Sequence, residues 1–568
     1  MGARLRILAL LTVAALLSGA VWARLAYWQV LRHVQLSAQA QAQYHELVEL
    51  PAVRGVIFDR NMTQLVVNTT VYSAFVSPDQ VAPADRDRVA SGLASVLGVD
   101  KAGVMQTLES GSKFAYVQRR FSKAKADQLR ALKLPGVGLE DESQRSYLPG
   151  IAAGSSLAAN LLGFVNYDGQ GRYGLEQYYQ SELAGTAGYI SSYRDLANRE
   201  IILGTHTHQD PINGSDLVLS LDANVQYAAE QALADGVKKA NAESGSVLIM
   251  DPSTGGIVAW ADYPSYDANS FNHTDTSLFK DNISSYLYEP GSVMKVVTLS
   301  GAINQGAITP DTVINDPGYL NVGGYRIYDW DRRNHGSINY TYVLEHSLNV
   351  GAMKAMQAEG HAACYSYLKG FGLTQASGID VAGESFVPLP AQDQMSDSQY
   401  ATTAFGQGIG VNMVQMLSAV NVVANGGRYA PPHAVERVGT SINPLLLKPQ
   451  RQVITPATAQ QMTAMMEAVV QHGSGWTARV KGFELNEAGK TGTSQIPVNG
   501  KYTLDVWASY VGFLPANHPK FTMIVVVRKP HVPGSDRDWT LNDGYFTAAP
   551  VWQKIAQAMV VDWRITPT

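Results

Sequence analysis

Residues 7–23, ILALLTVAALLSGAVWA, carry no charge, and such a run commits the start of the chain to an apolar environment. Its 17 residues rise about 25 Å as a helix, slightly short of the roughly 30 Å hydrocarbon core of a bilayer. Leu25, Ala26, Tyr27 and Trp28 complete the span if Arg24 reaches out to the headgroups, and Trp22, Tyr27 and Trp28 suit the outer interface. The rival reading is a cleaved signal peptide, for which Ser18-Gly19-Ala20 is an acceptable cleavage site. A retained anchor is preferred, and on either reading the remainder is expected to be exported. Arg4 and Arg6 are offset by Arg24 and Arg32, so charge asymmetry does not set the orientation.

The remainder is long enough for several folded units. A chain of 568 residues with 46% hydrophobic and 16% charged residues fits two to four globular domains with large cores. A net charge of −5 and the lack of a basic run argue against nucleic-acid binding. Cys364 is the one cysteine, which excludes an intramolecular disulfide. His206 and His208 invite a metal reading, but no companion cluster accompanies them and a polar linker is the better reading, so no metal or other cofactor is expected.

Residues 36–47 have good helix formers and little apolar surface, like a stalk leaving a membrane. Residues 53–61, VRGVIFDRN, read as a short strand closing in a polar turn, and 82–138 as mainly helical. A helix is expected over 173–185, a strand over 214–222 and a long helix over 224–240. Residues 245–251 and 255–262 read as a hairpin joined by Pro252-Ser253-Thr254. A helical, glycine-punctuated region follows over about 288–473. Strands at 507–516 and 521–530 and a closing helix near Trp563 suggest one mixed sheet built from both ends of that domain.

Three short elements carry chemistry. Ser292 and Lys295 follow Pro290-Gly291 at a predicted helix start, where residues three apart share a face. Ser347-Leu348-Asn349 and Lys490-Thr491-Gly492-Thr493 lie far downstream. Any one of them is common; S-x-x-K, S-x-N and K-T-G in this order match the penicillin-recognising serine acyl-transferases. A serine hydroxyl becomes a nucleophile when a base takes its proton, and Lys295 is that base only if burial and a second cation, Lys490, lower its pKa far below about 10.4. Ser347 can relay the proton towards a leaving amine, and Asn349 can hold the substrate or the lysine. A strand bearing Lys490, Thr491 and Gly492 can pair with an extended peptide and meet its carboxylate, and the N–H groups of Ser292 and Thr493 can stabilise an oxyanion.

With these elements, and with the stretches at 54–61, 160–179, 247–269, 404–416 and 511–527, the chain resembles the class B penicillin-binding proteins, the peptidoglycan D,D-transpeptidases. The resemblance covers nearly the whole chain. It implies an α+β multidomain fold: a cytoplasmic tail (1–6), a single transmembrane anchor (7–28), a membrane-proximal stalk (29–50), a non-catalytic pedestal of the dimerisation type (51–210) and an outward-facing transpeptidase domain (214–568) with a sheet flanked by helices. It implies acyl transfer from a D-Ala-D-Ala stem peptide through Ser292 to an amine on a neighbouring peptide, and acylation of the same serine by β-lactams. It also implies work beside a multi-spanning glycan-polymerising glycosyltransferase and other division proteins, with the anchor in membrane lipid. Residues 258–269, VAWADYPSYDAN, resemble the septal type more than the side-wall type.

Two departures stand out. The stretch 145–150, RSYLPG, is one residue longer than the usual pattern, and Asn412-Met413 stand where threonine-proline is usual. Rival readings are a side-wall transpeptidase, a carboxypeptidase or β-lactamase that passes the acyl group to water, and a non-catalytic β-lactam sensor. Three local decoys have bland explanations: residues 140–143 (EDES) as a solvated loop, 483–486 (FELN) as a strand edge, and Glu289 as a carboxylate at a helix start.

Overall fold

The computed structural model describes residues 2–36, 45–193, 207–484, 486–535 and 538–567. The chain forms two compact units, residues 1–54 with 184–214, and 55–183 with 215–568.

In the first unit a helix, Ala3–Ala26, runs on through a wider turn at Tyr27–Leu31. The 29 residues from Ala3 to Leu31 are long and apolar enough to cross a membrane, as the uncharged run leads one to expect. Arg32 lies over the rings of Tyr27 and Trp28 at its end. The strands His45–Leu50, Gly188–Tyr193 and Thr207–Gln209 make an antiparallel sheet in that order. The stalk reading over 36–47 falls mostly outside the described residues. From His45 the chain is strand rather than helix, because HELVEL pairs along its whole length with Gly188–Tyr193. His206 also lies outside the described residues; His208 pairs with Asp210.

The second unit begins with a pedestal portion. The strand Gln64–Val76 pairs antiparallel with Val137–Tyr147, from Val66↔Tyr147 to Val76↔Val137, and with Ala115–Phe121. Helices Arg86–Leu97, Lys101–Glu109 and Lys123–Leu132 contribute Val89, Leu93, Val104, Leu108 and Leu129 to a small separate core. The region 82–138 is therefore not helical throughout, since Ala115–Phe121 is interposed. The helix expected over 173–185 is two pieces, Gly174–Tyr178 and Gln180–Ala184. Residues 140–143 are not a loop: they lie inside the strand, and Glu142 is held by Ser73, Arg119 and Arg120. Arg145, at the irregular RSYLPG stretch, forms a buried ion pair with Glu176 at 2.7 Å and donates to Asn68.

The catalytic portion is built from α1 (Ala223–Lys239), β1 (Ser244–Met250), β2 (Ile257–Tyr263), α2 (Met294–Asn304), α3 (Asn349–Glu359), α4 (Met413–Ala424), α5 (Pro456–His472), β3 (Ala488–Val498), β4 (Lys501–Leu514), β5 (Phe521–Arg528) and α6 (Ala548–Asp562). The sheet runs β2-β1-β5-β4-β3. All its pairings are antiparallel, so the mixed strand directions expected from the sequence are not found. Both faces are covered, which explains the almost unbroken apolar runs. Val247 and Ile249 pack towards α1 and α6 with Leu233, Trp552 and Ile555, whereas Leu248 and Met250 pack towards α2 and α4 with Val296 and Val420. The region 288–473 contains short antiparallel strand pairs as well as helices, among them Val313–Asp316 with Gly336–Asn339 and, between them, the hairpin Tyr319–Val322 with Tyr325–Tyr328. Asn412 begins α4 with a capping box: its side chain accepts from Gln415 N while Gln415 answers to Asn412 N. Threonine-proline is thus replaced by another competent helix start.

Candidate active site

Gly291–Val293 form a tight turn that leads straight into α2, so Ser292 stands half-buried at a helix start and Lys295 one turn on. Gly291 has φ +55°, and a Cβ there would meet Thr493 O at 2.6 Å; a Cβ on Gly406 would overlap Gly291 O at 2.1 Å. The turn is clamped between β3 and the segment bearing Gly406, and side chains are excluded on both sides.

Lys295 is completely buried. Its Nζ stands 2.9 Å from Ser292 Oγ, 2.6 Å from Ser347 O, 2.9 Å from Asn349 Oδ1 and 3.3 Å from Ser347 Oγ. Burial, and next the charge of Lys490, hold its pKa well below the lysine range, with Asp329 opposing. The geometry agrees with a neutral amine. Two carbonyl acceptors use its two N–H groups, and the lone pair is left for the Ser292 hydroxyl. Asn349 Nδ2 donates to Tyr328 O at 3.0 Å, which fixes the amide orientation and turns Oδ1 to the lysine.

Ser347 connects the two amines. Lys490 Nζ donates to its Oγ at 3.0 Å and to Thr491 O at 2.9 Å. Burial pushes Lys490 down to about 7, with Asp543 pulling the other way, and burial pushes Asp543 up to about 6. Ser347 has φ +59°, the left-handed region, which costs a residue other than glycine about 1 kcal/mol or more. Thr491 Oγ1 meets Ser474 Oγ at 2.8 Å, and Thr493 Oγ1 accepts from Gly544 N at 3.4 Å.

The strand carrying these residues, β3, is the edge of the sheet, paired on one side with β4. Gly492 serves the packing of that edge. A Cβ there would lie 2.4 Å from Ser509 Oγ and 2.9 Å from both Pro290 O and Val293 Cγ2, so its smallness brings the strand against the serine turn.

The structure therefore gathers Ser292, Lys295, Ser347, Asn349 and Lys490 into one hydrogen-bonded cluster beside an edge strand bearing Thr491, Gly492 and Thr493. The penicillin binding protein transpeptidase domain family matches residues 245–557, and the penicillin-binding protein dimerisation domain family matches 49–219. The chain is a penicillin-binding protein.

Among the relatives of this penicillin-binding protein, Stage V sporulation protein D of Bacillus subtilis is 30% identical over 555 residues, spanning 96% of this chain and 83% of that one. The peptidoglycan D,D-transpeptidase FtsI of Escherichia coli is 29% identical over 514 residues, spanning 89% of this chain and 84% of that one. The crystal structure of penicillin-binding protein 3 from Mycobacterium tuberculosis, complexed with aztreonam, is similar at a TM-score of 0.69 and 26% identity, covering 92% of this chain and 98% of that one.

Sequence reasoning missed Asp329. Its Oδ1 accepts from Asn349 N at 2.6 Å and Val350 N at 3.0 Å, capping α3 immediately beneath the cluster. It belongs to no motif, and only folding brings it there. Glu289 is not a second base: its carboxylate accepts from Gly408 N and Tyr502 OH and ties the serine turn to β4. Glu484, of the FELN stretch, is exposed in the turn before β3 and accepts from Gly482 N.

Proposed function

We infer that this penicillin-binding protein is a serine-type peptidoglycan D,D-transpeptidase anchored by its N-terminal helix, its catalytic domain on the outer side of the cell membrane. The observation that carries the reading is the 2.9 Å contact of Ser292 Oγ with the Nζ of the fully buried Lys295. Ser292 Oγ–H gives its proton to Lys295 Nζ as Oγ bonds to the penultimate D-Ala carbonyl carbon of a donor stem peptide. The N–H groups of Ser292 and Thr493 receive the oxyanion. The terminal D-Ala leaves as its nitrogen takes a proton passed from Lys295 through the Ser347 hydroxyl. An acceptor amine then attacks the acyl-serine, and the same groups move the proton back as the cross-link forms and Oγ–H is restored. Lys490 and Thr491 meet the donor carboxylate, while Asn349 orients Lys295. β-Lactams stop at the acyl-serine.

A septal role is the finer reading, supported by the sequence at 258–269; a side-wall role is its alternative. The anchor is the proposed contact for a multi-spanning glycosyltransferase, and co-purification with residues 7–28 exchanged tests it: unchanged recovery removes the anchor from that role.

Fluorescent-penicillin labelling followed by mass spectrometry of the adduct tests the chemistry, with Ser292 as the expected site. Incubation with a donor peptide and an amine acceptor is expected to give a cross-linked product. Hydrolysed donor as the sole product would assign a carboxypeptidase, and no adduct at all a dead site.

A further inference from the structure

Two carboxyl groups lie buried directly behind the cluster. Asp316 and Asp329 are 0% and 2% exposed. Asp316 Oδ1 accepts from Gly318 N at 2.8 Å, while Asp329 Oδ1 takes the N–H groups that begin α3. Both Oδ2 atoms are buried with no N–H or O–H reaching them, and the Asp329 carboxyl is close enough to help push Asp316 up. Two ionised carboxylates are acceptors only and repel, so a proton kept by Asp316 relieves the repulsion and gives Asp329 Oδ2 a donor. The two residues are joined by backbone as well: Asp329 N donates to Gly318 O at 3.1 Å, and Gly318 N is the group held by Asp316.

We propose that Asp316 keeps a proton that it offers to Asp329 and that the two act as a positioning pair for the Ser292–Lys295 chemistry, Asp316 bracing Asp329 and Asp329 fixing the helix start that carries Asn349. This rests on the acyl-serine reading above. The chain of contacts is short: Gly318 N to Asp316 Oδ1, Asp329 N to Gly318 O, Asn349 N to Asp329 Oδ1, and Asn349 Oδ1 to Lys295 Nζ at 2.9 Å. Charge enters as well as position. Asp329 pulls Lys295 towards its ammonium form, and a proton on Asp316 keeps that pull to one negative charge rather than two. The other ionisable groups around the pair are Lys295 from α2, His335 with its partner Asp331 from the intervening loop, and Lys354 from α3, whose Nζ donates to Asn315 O.

Burial pushes Asp316 up to about 6, and Asp329 adds to the rise. A carboxyl raised in this way keeps its proton at low pH and loses it as pH rises through about 6. Above that point the pair repels, Asn349 loses its support and Lys295 meets a second negative charge. Asp316→Asn removes this dependence, because its amide oxygen still accepts from Gly318 N and its amide nitrogen donates to Asp329 Oδ2 at every pH.

The test is the second-order rate of fluorescent-penicillin acylation of the full chain in detergent, for the parent, Asp316→Asn and Asp316→Ala, across about pH 5 to pH 8. The ratio of the Asn-variant rate to the parent rate is expected to rise several-fold between about pH 5 and pH 7, and the Ala variant to be at least about tenfold slower than the Asn variant. A flat ratio, or Ala and Asn variants of equal rate, overturns the pair. Should the Ala variant fail to fold, the Asn-to-parent ratio decides alone. An adduct in the parent on a residue other than Ser292 overturns the acyl-serine reading itself. A Ser292 adduct together with a flat ratio overturns the pair only.

Discussion

Lys490 Nζ lies 3.0 Å from Ser347 Oγ across 143 residues of chain. This contact joins the edge strand to the start of α3, and with Lys295 on the other side of the same hydroxyl it makes Ser347 the only side chain among the described residues that hydrogen-bonds both buried amines.

Removing that hydroxyl separates catalysis from folding. Ser347→Ala and Ser347→Gly are both expected to slow penicillin acylation by about 10²–10³-fold, the scale of a lost proton-transfer group. Glycine relieves the positive φ at this position, so Ser347→Gly is expected to melt at or above the temperature of Ser347→Ala. Calorimetry beside the labelling rates checks both.

Gly492→Ala is expected to abolish labelling while leaving the pedestal folded. The added methyl meets Pro290 O and Val293 across the interface of β3 with the serine turn, and an overpacked contact of this kind costs about 1–3 kcal/mol or displaces the strand. Labelling and limited proteolysis of the same sample separate local displacement from unfolding.

Such close approaches mark where the sequence was legible and where it was not. The serine-lysine turn and the hairpin at 245–262 could be read because each joins a turn signal to an apolar run, and the two later motifs because they follow the serine-lysine pair in a recognisable order. Val137–Tyr147 could not. Its middle is GLEDESQRS, whose polar side chains give no apolar alternation, and it is a strand because the ladder to Gln64–Val76 and the arginines around Glu142 hold it. The antiparallel sense of the whole catalytic sheet was equally hidden, since strands buried on both faces show the same apolar runs in either direction. Asp316 and Asp329 escaped notice because an isolated aspartate in sequence carries no mark of a buried partner.

Recognition of a carboxylate is expected to weaken with rising pH. Lys490 loses its charge as pH passes about 7, so the affinity for a donor peptide with a free carboxylate should fall through that point, while a donor amidated at its C-terminus should show no such loss. Asp543 opposes the downward shift, and Asp543→Asn is expected to move the midpoint to lower pH. Binding titrations of both peptides to the unacylated protein measure this.

The pedestal depends on one buried ion pair. Arg145→Met removes the cation paired with the buried Glu176 carboxylate, to which Tyr147 OH also donates, and is expected to cost about 3–5 kcal/mol, with Arg145→Met/Glu176→Leu recovering most of the loss. Denaturant unfolding of the single and double variants checks it.

The most direct test of the account is the acylation rate of Lys295→Ala by fluorescent penicillin, with the adduct located by mass spectrometry. A fall of about 10³-fold or more against the parent, with the parent's label on Ser292, is expected, because the proton of the Ser292 hydroxyl then has no amine to receive it. Labelling of Ser292 in Lys295→Ala at the parent's rate would contradict it.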